Sequence, residues 1–163
     1  MWAIKQILVP VDFSNTSRAA ISAALQIASD QDACVTLLHV EAGMDKEIKR
    51  RIYAAPNDST IDDTIAYNEQ ALRDAANLEI QRARESGNPL PFVSVTPRIV
   101  GGDWLEVMLR LTDELDVDLI ITGTHGRGSG VKGLFASSSE KIVAKVTCSV
   151  LVVKPQGFPY LID

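Results

Sequence analysis

Apolar runs and helical patterns alternate from one end of the chain to the other. Four continuous apolar runs have the length of buried strands, at residues 7–11, 34–40, 119–122 and 150–153. A fifth run at 92–96 is interrupted by Pro97 and resumes at 98–100, which is typical of an edge strand or a bulge. Because nearly every position in these runs is apolar, we expect helices to cover both faces of the sheet.

Amphipathic helices are predicted between these strands. One follows the polar cluster at 14–17, and a second apolar stripe runs over 72–83. Two further helices begin at capping signals, Asp103 and Ser137, each followed three residues later by a glutamate. Strands that alternate with helices predict an α/β domain with an open, mostly parallel five-stranded sheet and right-handed crossovers.

One stretch of the chain does not fit this alternation. Residues 41–66 lack a clean period, so we expect a long loop there, with a short helix near 45–53. The total length of 163 residues suits one domain, which we expect to span 1–155, followed by a tail at 156–163.

Composition and charge exclude several classes of protein. The chain is 46% hydrophobic and 23% charged, as expected for a soluble protein with a core. A net charge of −5 makes nucleic acid and anionic membrane poor partners. The sequence has neither a long apolar span nor the pattern of a signal peptide, so we expect a cytoplasmic protein. Cys34 and Cys148 lack a Cys-x-x-Cys spacing and are predicted to be reduced, buried thiols.

Polar and glycine residues follow several strands, at the edge where open parallel sheets bind ligands. The richest segment is 123–133, which has five glycines in eleven residues and includes Arg127 and Lys132. Its backbone N–H groups, together with the serines at the start of the next helix, could hold a phosphate. The alternative is a tightly turning loop followed by a helix cap. The segment is not a Walker A motif. Its G-x-G-x-x-G at 128–133 starts five residues past the glycine of the preceding strand and precedes the last strand rather than the second. No acidic residue lies about 20 positions further on, as a dinucleotide site would require.

Asp12 and two histidines are the other candidates for chemistry. The carboxylate of Asp12 could accept from a ribose hydroxyl or help to hold a metal ion, or it could cap the first helix together with Ser14. His39 is predicted to be a buried or half-buried strand residue and His125 a loop residue. No nucleophile signature or metal-ligand spacing is present, so neither catalytic residues nor a dedicated metal site are expected.

These motifs together resemble the universal stress protein family. The likeness lies in residues 7–14, in 38–40 and, above all, in Gly123-x-x-Gly126, nine residues, a small residue and Ser137, followed by the last strand. The resemblance implies the adenine nucleotide α-hydrolase-like fold with strand order 3-2-1-4-5. It also implies a homodimer built around the last strand, with the interface residues Val150, Leu151, Val152 and Val153.

The resemblance further implies an adenine-nucleotide site for ATP or AMP, with Mg²⁺ entering on the phosphates. Asp12 and the backbone of Val40 would hold the ribose and adenine. Members that bind ATP have glycine where this chain has Ala136, and the added methyl group could crowd a triphosphate. The complete set of expected nucleotide-binding residues is Pro10, Val11, Asp12, Val40, Gly101, Gly123, Thr124, Gly126, Arg127, Gly128, Ser137, Ser138 and Ser139.

Three functions are compatible with these residues. The first is a nucleotide-binding regulatory protein of the stress response, acting as a homodimer. The second is a slow ATP hydrolase, although no general base is evident near the expected γ-phosphate. The third is a nucleotide-free dimeric interaction module in which Ala136 closes the pocket.

Overall fold

Five parallel strands form a single sheet in the computed structural model, which describes residues 3–41, 61–124 and 138–154. Their order is β3-β2-β1-β4-β5, so the predicted open sheet and its strand order are confirmed. Each pair of neighbours is parallel, and β2 with β3 makes the longest pairing. The strands are β1 Gln6–Pro10, β2 Cys34–Glu41, β3 Ser94–Gly101, β4 Leu119–Gly123 and β5 Ser149–Val153.

Helices cover both faces of this sheet, as predicted. Alternate residues of a strand point to opposite faces, and β1 shows the result. Ile7 and Val9 join the core cluster that contains α1 and α2, whereas Leu8 joins the cluster that contains α3 and α4. All three β1 residues are no more than 1% exposed. The helices are α1 Asn15–Gln31, α2 Ile61–Glu85, α3 Trp104–Glu114 and α4 Ser138–Lys145.

The second helix begins earlier than the hydrophobic pattern predicts. Residues 61–66 were expected to belong to a loop, but α2 starts at Ile61. The expectation is wrong because Asp62 and Asp63 resemble loop residues when only periodicity is considered. In the first turn of a helix, carboxylates are favourable, since they face the positive end of the helix dipole.

The third strand also differs from its predicted bounds. Strand β3 continues through Pro97, which lies opposite Leu37 of β2. Because β3 has a neighbour on one side only, the missing N–H of Pro97 is tolerated, and the edge position is confirmed. Phe92 was predicted to lie in this strand but precedes it and is 95% exposed. It follows Pro89 and Pro91, which break the strand pairing at that end.

Some expectations lie outside the described residues. These are the short helix near 45–53, the domain boundary after 155 and the tail at 156–163, and they stay predictions.

In the part of the chain that the structure describes, no helix is both long and apolar enough to cross a bilayer.

The two cysteines differ in their surroundings. The prediction that both thiols are buried is wrong for Cys34, which is exposed as the first residue of β2 at the amino edge of the sheet. Cys148 is half-buried. Burial raises the pKa of the Cys148 thiol, because the thiolate loses hydration, and the negative charges of Asp118 and Asp113 raise this pKa further.

We therefore expect the two thiols to react at different rates. At pH 8, iodoacetamide should alkylate Cys34 several-fold faster than Cys148, since the thiolate is the nucleophile and Cys148 is both covered and harder to ionise. Peptide mass spectrometry over a time course measures both rates, and Cys34→Ser serves as the control for assignment. Equal rates, or faster labelling of Cys148, would contradict the structure.

Candidate functional site

Successive strands are added toward one edge of the sheet after β1 and toward the other edge after β4. From β1 the chain crosses to β2 on one side, and from β4 it crosses to β5 on the other. Connections that leave in opposite directions open a crevice at the carboxyl ends of the two strands, the usual ligand position in open α/β sheets. Residues 11–14, which follow β1, and residues 123–124, at the end of β4, therefore lie where such a crevice is expected.

Gly123 allows the first turn of α1 to approach the end of β4 closely. A Cβ atom built on Gly123 would lie 2.7 Å from Thr16 Cβ and 2.8 Å from the Thr16 carbonyl oxygen. Both distances are shorter than real Cβ contacts, so only glycine fits. Thr16 belongs to the first turn of α1, and this turn consequently packs directly against the end of β4. The structure thus gives Gly123 a packing role in addition to its predicted place beside the phosphates.

The turn between β1 and α1 is held by side-chain hydrogen bonds. Asp12 Oδ1 accepts from the backbone N–H of Ser14 at 3.0 Å and also from the Ser14 hydroxyl. Ser14 is the N-cap of α1, and its Oγ accepts from the N–H of Ser17 at 3.3 Å. Of the two roles considered for Asp12, the cap itself therefore belongs to Ser14, and the Asp12 carboxylate orients that cap.

Phe13, which lies between Asp12 and Ser14, has an unusual backbone conformation. Its φ of +61° lies in the left-handed region, which residues other than glycine rarely adopt. Such strain persists only where the surrounding structure imposes it, and it is common at functional sites. The strained residue here stands directly after Asp12.

The ends of β2 and β3 form the adjoining wall of the same edge. Val40 is half-buried and packs on the core cluster that also includes Val100 and Trp104. The Gly102 N–H donates to the Glu41 carbonyl at 3.1 Å, and the φ of +138° at Gly102 requires glycine. Gly101, by contrast, has no atom of the described residues within 4 Å of a built Cβ.

Two buried polar side chains of β2 also lie near this edge. Glu41 is 4% exposed and accepts a hydrogen bond at 3.2 Å from Asn68 of α2, itself 1% exposed. His39 is 7% exposed, which confirms the prediction of a buried strand residue. Buried polar groups such as these are expected to have partners.

Thr124, directly after β4, departs from that rule. It is 7% exposed, and its Oγ1 has no hydrogen-bond partner among the residues that the structure describes. An unpaired buried hydroxyl costs about 1–3 kcal/mol. A site with such an orphaned group at the carboxyl edge is suited to a polar ligand that would bond it.

The predicted site residues divide into two groups. Seven lie together at the carboxyl edge, and two more, Ser138 and Ser139, lie in the first turn of α4. Gly126, Arg127, Gly128 and Ser137 lie outside the described residues, as do Ala136 and His125. The seven at the edge are Pro10, Val11, Asp12, Val40, Gly101, Gly123 and Thr124.

Comparison with known proteins identifies the family. The family model described as the universal stress protein family matches residues 3–154. The chain belongs to the universal stress protein family. The resemblance stated from its motifs is therefore confirmed, as is the adenine nucleotide α-hydrolase-like fold.

Relatives of this universal stress protein cover nearly all of its length. A Staphylococcus haemolyticus protein named as a universal stress protein is 28% identical over an alignment of 163 positions, which covers 98% of this chain and 90% of the relative. A solved universal stress protein in complex with cAMP is 20% identical, with a TM-score of 0.63 over 94% of this chain and 98% of the other. The Archaeoglobus fulgidus universal stress protein in complex with dAMP is 15% identical, with a TM-score of 0.56 over 94% and 100%.

Sequence reasoning missed three residues that shape the site of this universal stress protein. Nothing in the sequence marks Thr16 as the partner of Gly123, because that contact joins two distant segments. Gly102, rather than Gly101, is the residue with a left-handed backbone, and the Gly-Gly pair was the available signal. His39 was correctly predicted as buried, but its bond to the Val11 carbonyl at 2.7 Å has no sequence signature.

The two glycines at the edge should respond differently to alanine. Gly123→Ala must displace the Thr16 backbone, so we expect it to lower the free energy of unfolding by about 1–3 kcal/mol. Gly101→Ala meets open space and should leave it within about 0.5 kcal/mol of wild type. Urea unfolding followed by circular dichroism measures both. The packing role of Gly123 is wrong if the two variants are equally stable.

Proposed function

We propose that this universal stress protein binds an adenine nucleotide, ATP or AMP, in the crevice between β1 and β4 and acts as a homodimeric regulatory protein of the stress response. The observation that carries the proposal is the buried hydroxyl of Thr124 at the end of β4, which has no hydrogen-bond partner among the described residues. Two fold neighbours were solved with cAMP and dAMP, which share the adenine base. A cytoplasmic location stays a prediction from the sequence.

The residues present suit the parts of a nucleotide. The Asp12 carboxylate would accept from a ribose hydroxyl, a role that acidic residues also have in dinucleotide-binding α/β folds. The hydroxyl of Thr124 would donate to a ligand oxygen and so satisfy its own hydrogen bond. The backbone of Val40 would form hydrogen bonds with the edge of the adenine base. Arg127 and the serines at 137–139 are proposed to hold the phosphates, with Mg²⁺ arriving on them.

Thermal unfolding with added nucleotide tests binding directly. We expect ATP with Mg²⁺, or AMP, to stabilise the protein by about 2.7 kcal/mol at one hundred times its dissociation constant. For a chain of this length this is a rise of roughly 5–10 °C in Tm. Titration with cAMP and GTP shows which part of the ligand is recognised. Protein free of co-purified nucleotide that shifts with none of them would exclude the proposal.

Thr124→Val separates binding from stability. Valine removes the hydroxyl and nearly preserves the shape, so the free protein should be as stable as wild type or up to about 1 kcal/mol more stable. Nucleotide affinity should fall about tenfold, because the ligand loses one hydrogen bond in a dry site. Calorimetric titration measures the nucleotide affinity, and urea unfolding measures the free energy of unfolding. Loss of stability with unchanged affinity would show that the hydroxyl serves the fold instead.

The proposed dimer rests on the exposed edge strand β5. Leu151 and Val152 are each 38% exposed, and among the described strands β5 pairs with β4 alone. A free apolar edge strand is an aggregation hazard unless it is covered. Pairing with the β5 strand of a second copy about a twofold axis would cover both edges with one self-complementary interface.

A lysine on this strand should prevent the pairing. We expect Leu151→Lys to give a monomer, since edge lysines are a common means of blocking strand addition. Leu78→Lys is the matched control, because Leu78 is 43% exposed on α2 and lies away from β5. Sedimentation velocity measures the mass of each. A dimeric Leu151→Lys variant, or a wild type that is monomeric at all concentrations, would contradict the β5 interface.

A further inference from the structure

His39 reaches from β2 to the turn that follows β1. Its Nδ1 lies 2.7 Å from the carbonyl oxygen of Val11. Its ring contacts that of Phe13, with centroids 5.1 Å apart and the ring planes at 46°. These two contacts fall on the residue before Asp12 and on the residue after it. Phe13 also packs against the core cluster on the α1 and α2 face of the sheet.

The chemistry of the first contact fixes the proton on the histidine ring. A carbonyl oxygen can only accept, so Nδ1 carries the hydrogen and donates it to Val11. The bond is buried, with Val11 4% exposed and His39 7% exposed. The same residue Val11 donates its N–H to the Leu38 carbonyl at 2.8 Å. Both backbone groups of Val11 are thus bonded to β2, one of them through His39.

We infer that His39 is a positioning residue for the nucleotide site and holds the strained turn in the conformation that presents Asp12 to the crevice. Phe13 has a φ of +61°, so this turn needs support from outside. The Nδ1–H bond fixes the backbone before Asp12, and the ring supports the side chain after it. This inference rests on the proposed function, because it assigns His39 a part in nucleotide binding without contact to the nucleotide.

Three variants separate positioning from general stability. His39→Phe keeps an aromatic ring but lacks the donor, whereas His39→Asn can place an amide N–H near the position of Nδ1. Val35→Ala is the matched control, since Val35 is a fully buried residue of β2 in the core cluster on the Phe13 face and pairs with Ile7, near the amino end of β1. It should lower stability without altering the turn.

Calorimetric titration with AMP measures the effect on the site. We expect His39→Phe to weaken AMP binding about tenfold, the effect of a turn that keeps its binding conformation in about a tenth of the free molecules. His39→Asn should recover most of this loss, and Val35→Ala should bind as wild type. The inference is overturned if His39→Phe binds normally, if Val35→Ala weakens binding equally, or if asparagine recovers nothing.

A second measurement needs no nucleotide and therefore distinguishes the two proposals. In the free protein, ¹⁵N NMR should show hydrogen on Nδ1 of His39, and the amide signals of residues 12–14 should move in His39→Phe but not in Val35→Ala. Wild type that binds no AMP, but shows hydrogen on Nδ1 and amide signals that move in His39→Phe alone, would exclude the proposed function. The same result would still support the control of the turn by His39. An unprotonated Nδ1, or unmoved amide signals, would overturn the role of His39.

Discussion

The close approach of Thr16 to Gly123 is the constraint on which the rest of the site depends. The first turn of α1 packs against the end of β4 with no room for a side chain between them. This contact joins the two segments that diverge from the switch in strand order, and it sets how closely they approach each other. Two of the groups proposed to touch the ligand lie close to this contact in the chain: Asp12 lies four residues before Thr16, and Thr124 directly follows Gly123.

The polar groups on the α1 side and on the β4 side of the crevice differ in their hydrogen bonding. On the α1 side, Asp12, Ser14 and Ser17 bond one another, and the cost of the left-handed Phe13 is offset by this network and by the core beneath it. On the β4 side, the Thr124 hydroxyl is buried without a partner in the described chain. A bound polar molecule that reached the Thr124 hydroxyl would supply the partner that it lacks among the described residues.

Much of the fold could be predicted because hydrophobic periodicity is a local signal. The apolar runs at β1, β2 and β4 and the caps at Ser14 and Asp103 gave strand and helix positions within a few residues. The start of α2 could not be predicted in this way, since acidic residues suit both loops and first helical turns. The site was located by the rule for parallel sheets and by family motifs. Its contacts, such as those of Thr16 and His39, join residues far apart in sequence and needed the structure.

A crystal structure of the protein with AMP tests the central claim most directly. We expect the nucleotide to lie at the carboxyl ends of β1 and β4, with the Asp12 carboxylate near the ribose and Thr124 Oγ1 within about 2.5–3.2 Å of a ligand oxygen or nitrogen. A nucleotide bound at another surface, or a Thr124 hydroxyl still unpaired beside a bound nucleotide, would contradict it.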